Sequence, residues 1–213
     1  MANSPWSRRQ VLAALVVAAG GVPAGGAQTV GVEAARSHVA ATVDMVIGLI
    51  ETQKPRAEAA KALRSIFERQ AALKQLARFC AGRYWRGMAD EYKDRYIETF
   101  SDHLAYVYAG YFKDFSGDPA ELREAMKIVN VVDVGKKGVL VRSEIRPGRQ
   151  APVLVDWLIS DRSGRIAISD LVVEGISLAV TQREVVSAMF EKRSGDVAQV
   201  IADMEREQGK SGS

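Results

Sequence analysis

Asp170 and Glu174, two acidic residues four apart, are the pair best placed for acid and base chemistry in this 213-residue sequence. They lie in Ile166 to Glu184, IAISDLVVEGISLAVTQRE, a β-branched and nearly continuous apolar run. It reads as one long strand, with little water on either face, running without a loop into C-terminal helices. On a strand, residues four apart share a face when no bulge intervenes, so one carboxyl could act as acid and the other as base. The competing assignment is structural. A buried carboxylate must find donors, and each of these can bind backbone amides or an arginine, fixing a bend at Gly175. Arg183 is a candidate partner; it could equally hold a phosphate or be a surface charge.

The other reactive residue types form no constellation. His38 and His103 are the only histidines and have no cysteine or carboxylate at ligand spacing, so no metal site is expected. No Gly-x-Ser-x-Gly elbow, P-loop or dinucleotide fingerprint occurs, and pairing Cys80 with His103 would rest on no motif. We therefore assign no catalytic residue and no cofactor. Cys80, the single cysteine, excludes an intramolecular disulfide and fits a small core position.

Composition is globular, with 47% hydrophobic and 26% charged residues. Met1 to Ala27 has a basic start, an apolar run from Val11 to Ala19 and a small-residue end, the pattern of an export signal. Within it, Ser7-Arg8-Arg9-Gln10-Val11-Leu12 fits the twin-arginine pattern. Export places the mature protein in the periplasm, and no later segment is long and apolar enough to anchor it. Without Arg8 and Arg9, 27 of the 29 basic residues remain against 26 acidic ones, or +1. That near-neutral balance gives no electrostatic case for nucleic acid. Residues 28–208 then read as one domain, with a frayed tail at 209–213.

The first half of that domain is helical. Val39, Val43, Val46, Ile47 and Ile50 recur at helical spacing between Glu33 and Glu51, and Pro55 precedes shorter helices over Ala57 to Phe67 and Ala71 to Ala81. Asp90 to Lys113 is the longest periodic segment. Its ridge, Tyr92, Tyr96, Phe100, Leu104, Val107, Tyr108, Tyr111 and on to Phe115, is wider and richer in tyrosine than packing on a sheet needs. Ser116-Gly117-Asp118-Pro119 reads as a turn cluster. Four strands follow, at Met126 to Val134, Gly138 to Arg146, Pro152 to Ser160 and Arg165 to Val180, with connections short enough for an antiparallel meander. Beyond them come a helix over Gln182 to Lys192, capped by Thr181 or a neighbour, and a last helix from Asp196 through Met204.

The string Asp170-Leu171-Val172-Val173-Glu174-Gly175-Ile176-Ser177, followed by Thr181-Gln182-Arg183, resembles the signature of the periplasmic phospholipid-binding proteins of the Mla type, the toluene-tolerance family. Tyr96 to Tyr108 resembles that family's aromatic helix, with Phe100 following the threonine instead of preceding it. Trp157 stands where the family usually shows a tyrosine. Nearly the whole mature chain is covered, most strongly over Val155 to Arg183. The resemblance implies an α+β fold in which a curved four-stranded antiparallel sheet is wrapped by six to seven helices, with an apolar lipid pocket between sheet and helices. It also implies phospholipid cargo, an inner-membrane MCE protein of an ABC transporter and an outer-membrane lipoprotein complex as transient partners, and a monomeric carrier. Hopanoid-associated relatives make a hopanoid or another membrane lipid the alternative cargo. Two further classes remain: an enzyme on a cone-shaped α+β fold using Asp170 or Glu174, and an adaptor with a filled core.

The residues expected to meet acyl chains are the inward apolar ones: Phe100, Leu104, Tyr108, Val141, Val155, Trp157, Val173 and Ile176. Asp170, Glu174 and Arg183 are expected to be structural polar residues.

Overall fold

The structure, a computed structural model, describes residues 30–113, 118–146 and 151–209. The expected export leader, Phe115, Ser116, Gly117, the expected Pro147-Gly148 turn and the last four residues lie outside the described residues. Among those described, helices α1 (Val32–Glu51), α2 (Arg56–Gln70), α3 (Leu73–Ala81), α4 (Arg83–Gly87), α5 (Asp90–Lys113) and α6 (Pro119–Ala125) precede the sheet. Strands β1 (Met126–Asp133), β2 (Val139–Ile145), β3 (Val153–Ser160), β4 (Ala167–Val173) and β5 (Ile176–Ser177) follow in order. Helices α7 (Leu178–Lys192) and α8 (Val197–Glu207) close the chain.

The five strands form one antiparallel sheet in sequence order, the topology that short connections dictate. Alternation decides its faces. Val139, Val141, Ser143 and Ile145 on β2 and Val153, Val155, Trp157 and Ile159 on β3 are buried, while Arg142 and Asp156 form a bidentate pair on the outer face at 2.6 Å. Helix α1 lies over β1 and β2 and α7 over β4, so the helices cover one face and the core sits between the layers. The buried α1 residues include Val39, Val43, Val46, Ile47 and Ile50, the stripe the spacing predicts.

Three expectations need correction. The predicted strand from Arg165 to Val180 is two strands: the chain reverses at Glu174 and Gly175, whose φ values of 50° and 83° make a two-residue hairpin turn. Gly175 therefore marks a turn rather than a bulge, and the sheet has five strands. Second, α7 starts at Leu178, because the Ser177 hydroxyl accepts from the Val180 amide at 3.2 Å and caps the helix four residues before Thr181. Third, Asp118 and Pro119 begin a helix instead of ending a turn. The Asp118 carboxylate accepts from Ala120 N–H at 2.8 Å and proline takes the first helical position, which raises the helix count to eight among the described residues.

Candidate functional site

The inner face of the sheet carries Val141, Trp157 and Leu171 as one cross-strand row and Ser143, Val155 and Val173 as the next. Trp157 is completely buried, and its indole N–H needs a partner there. Ser143 supplies it, accepting from Trp157 Nε1 at 2.9 Å while its own hydroxyl donates to the Val155 carbonyl at 3.3 Å. Strand alternation places Ser143 inward, but nothing in the sequence marks it as the tryptophan's partner.

Above this face, α5 turns Tyr96, Phe100, Leu104 and Tyr108 into the interior at four-residue spacing, each 4% exposed or less. The principal backbone neighbours of α5 are α2, α8 and α3, so the aromatic helix belongs to a helical layer and reaches the sheet through side chains. Phe100, Leu104, Tyr108, Val141, Val155, Trp157 and Val173, seven of the residues expected to meet acyl chains, belong to one continuous hydrophobic cluster. Ile176 does not face inward. It is 63% exposed, because the hairpin puts it on a two-residue edge strand.

The polar residues around the hairpin are tied to the backbone. Asp170 accepts from the Leu171 amide at 2.8 Å, the Ser177 hydroxyl at 2.7 Å and the Ala179 amide at 3.3 Å, so both carboxylate oxygens are engaged. Burial pushes its pKa above the ordinary carboxylate value, and these three donors pull the other way. Glu174 accepts from Leu154 N–H at 2.6 Å, and its own N–H donates to the Leu154 carbonyl at 3.0 Å, which holds a non-glycine residue at positive φ. Arg183 reaches neither acid. Its guanidinium lies 4.8 Å from the centroid of the Phe79 ring, beside Gly82, in a surface concavity of about 450 Å³ that Val180, Glu184 and Ser187 also line.

Gln182, which sequence reasoning passed over, donates from Nε2 to the Tyr108 hydroxyl at 2.7 Å and joins α7 to α5. Only proximity in the fold reveals that pairing. Cys80 is fully buried and burial pushes its thiol well above the usual range, which leaves it inert. His103 is also buried, 3.6 Å from the Glu207 carboxylate, and burial lowers its pKa while Glu207 raises it.

An α+β molecule in which one face of an open antiparallel sheet is covered by helices around an apolar interior is the class these elements define. The chain belongs to the MlaC protein family, whose model matches residues 40–206. Among solved structures, it is similar to the phospholipid-binding protein from Ralstonia solanacearum in complex with a phospholipid, at 18% identity and a TM-score of 0.63, covering 83% of this chain and 97% of that one. No curated protein matches. No described helix is long and apolar enough to cross a membrane.

Proposed function

We propose that this protein is a periplasmic carrier that shuttles phospholipid between the outer and inner membranes by enclosing the acyl chains between the inner sheet face and the helical layer. Membership of the MlaC family carries this reading, and the phospholipid held by the similar Ralstonia protein supports it. The physical requirement is set by the tails. At about 0.8 kcal/mol per methylene, a chain of about 16 carbons costs roughly 13 kcal/mol to expose to water, more than a head-group contact can offset. The carrier must therefore keep the chains dry and can leave the head group in water.

Trp157, Val141, Val155 and Val173 on the sheet, with Phe100, Leu104 and Tyr108 on α5, are the proposed tail contacts. They now pack within one cluster, so room for the chains requires the sheet and the helical layer to part between these residues. Asp170 and Glu174 hold the β4–β5 hairpin and the start of α7, a role that engages them in the fold rather than in turnover. The proposed docking partners are an inner-membrane MCE protein of an ABC transporter and an outer-membrane lipoprotein complex, reached after export on the leader. Incubation with vesicles of fluorescent diacyl phospholipid tests the reading: the protein should take up lipid, and Trp157→Asp should lose uptake. An inability of the wild-type protein to acquire lipid contradicts it.

A further inference from the structure

The geometry points to the α5–α7 seam as the portal through which acyl chains reach the interior, with Tyr108 and Gln182 as its latch. This inference rests on the carrier reading and says where that carrier opens. The two helices run antiparallel and meet through side chains at two places. At one, Tyr96 of α5 lies 6.0 Å from Phe190 of α7, ring centroid to ring centroid, and Phe190 stacks on Tyr84 at 4.5 Å. At the other, about 18 Å along α5, Gln182 donates its single bond to Tyr108. The aromatic end is reinforced from outside, because Arg193, just past α7, holds Asp203 of α8 through two bonds of 2.6 and 2.7 Å, and Arg95 of α5 pairs with Glu205 of α8.

Elsewhere α5 is held by more. Arg64 of α2 reaches Glu98 and Asp102 of α5, and Gln208, just past α8, donates to the Thr99 carbonyl. Between α5 and α7 themselves, away from the aromatic cluster, the fastening among the described residues is this one neutral hydrogen bond. Its loss lets the Tyr108 end of the seam part, with α7 still seated on α3 and β4, and uncovers the interior beside Phe67. The rim already suits a chain crossing from water: Tyr111, 45% exposed, is in ring contact with Tyr108 at 5.8 Å, and Leu178 at the start of α7 packs against the core. Gln182 is a positioning residue that closes the portal through Tyr108, which also belongs to the proposed tail contacts.

The test is phospholipid exchange from donor to acceptor vesicles, read as a rate and, separately, as occupancy at saturation. Gln182→Ala should speed exchange by about three- to tenfold while occupancy stays at the wild-type level; Tyr108→Phe, read by its rate alone, should speed exchange as much, with the double variant no faster than either single. Asp203→Asn, which weakens the Arg193 pair at the aromatic end, should lower the thermal midpoint and leave the rate unchanged. Wild-type rates in both single variants, with lipid still bound, overturn the portal and leave the carrier standing. Equal acceleration by Asp203→Asn likewise overturns it, by showing that general loosening is enough. Failure of the wild-type protein to bind phospholipid overturns both.

Discussion

The two ends of β4 are built in opposite ways. At its start, Ala167 and Ile168 are fully buried, the Ile168 carbonyl accepts from Ala72 N–H at 3.0 Å, and Arg165 donates to the carbonyls of Glu68, Arg69 and Ala71 that end α2. These bonds fix the α2–α3 corner to the sheet. Gly138 sits on the same end, where the Ile159 carbonyl fills the space a side chain would take. At the other end, β4 turns at Glu174 and Gly175 into a strand of two residues, and Ile176 projects into water. A glycine-tight corner resists rearrangement, whereas a hairpin held by two carboxylates can travel with the helix it starts. A carrier needs both, a frame that keeps its register and an edge that yields.

The largest expected effect comes from the fixed end. A Cβ on Gly138 would stand 2.0 Å from the Ile159 carbonyl oxygen, at a φ of 115° that other residues avoid, so Gly138→Ala should destabilise the protein by about 3 kcal/mol or more in denaturant unfolding. A cost below about 1 kcal/mol would mean that this corner gives way as easily as the hairpin.

Next is the hairpin end, where Asp170→Asn leaves too few acceptors for the Leu171, Ser177 and Ala179 donors. A loss of about 1–3 kcal/mol is expected, together with weaker hydrogen-exchange protection confined to the start of α7. Loss of protection spread evenly over the sheet would erase the distinction between the ends.

The smallest effect is a pH dependence of the fixed end. His38 bonds through Nε2 to the Gln70 carbonyl at 2.9 Å. Burial first, and then the Arg165 charge, lower its pKa below 6.5, while the Gln70 bond acts the other way. With the folded pKa depressed, the neutral ring is favoured in the fold. Stability is fully present above 6.5 and falls as pH drops towards the folded value, because the unfolded chain then binds more protons. His38→Gln should flatten the thermal midpoint against pH in that range, and an unchanged slope would remove His38 from the corner's energetics.

Much of this was legible in the amino-acid sequence. Period-two alternation placed β2 and β3 and identified Val141, Val155 and Trp157 as inward, because a sheet with one covered face leaves that pattern intact. The four-residue spacing of Tyr96, Phe100, Leu104 and Tyr108 gave the buried stripe of α5 for the same reason. The hairpin escaped because Glu-Gly lacks the Asn or Asp that normally signals such a turn, and Glu174 keeps its positive φ only through Leu154, twenty residues away. The partner of Arg183 stayed open between an acid, a phosphate and water because a cation over Phe79 depends on how α3 and α7 meet. Gln182 was missed because its partner lies 74 residues away, where only the finished fold brings the two together.

The most direct measurement is native mass spectrometry of the protein purified from its own cell, followed by extraction and identification of whatever it carries. The carrier account predicts a protein mass raised by that of a diacyl phospholipid, which exchanges when the protein meets labelled vesicles. Protein at its bare mass that acquires no lipid from vesicles would contradict it.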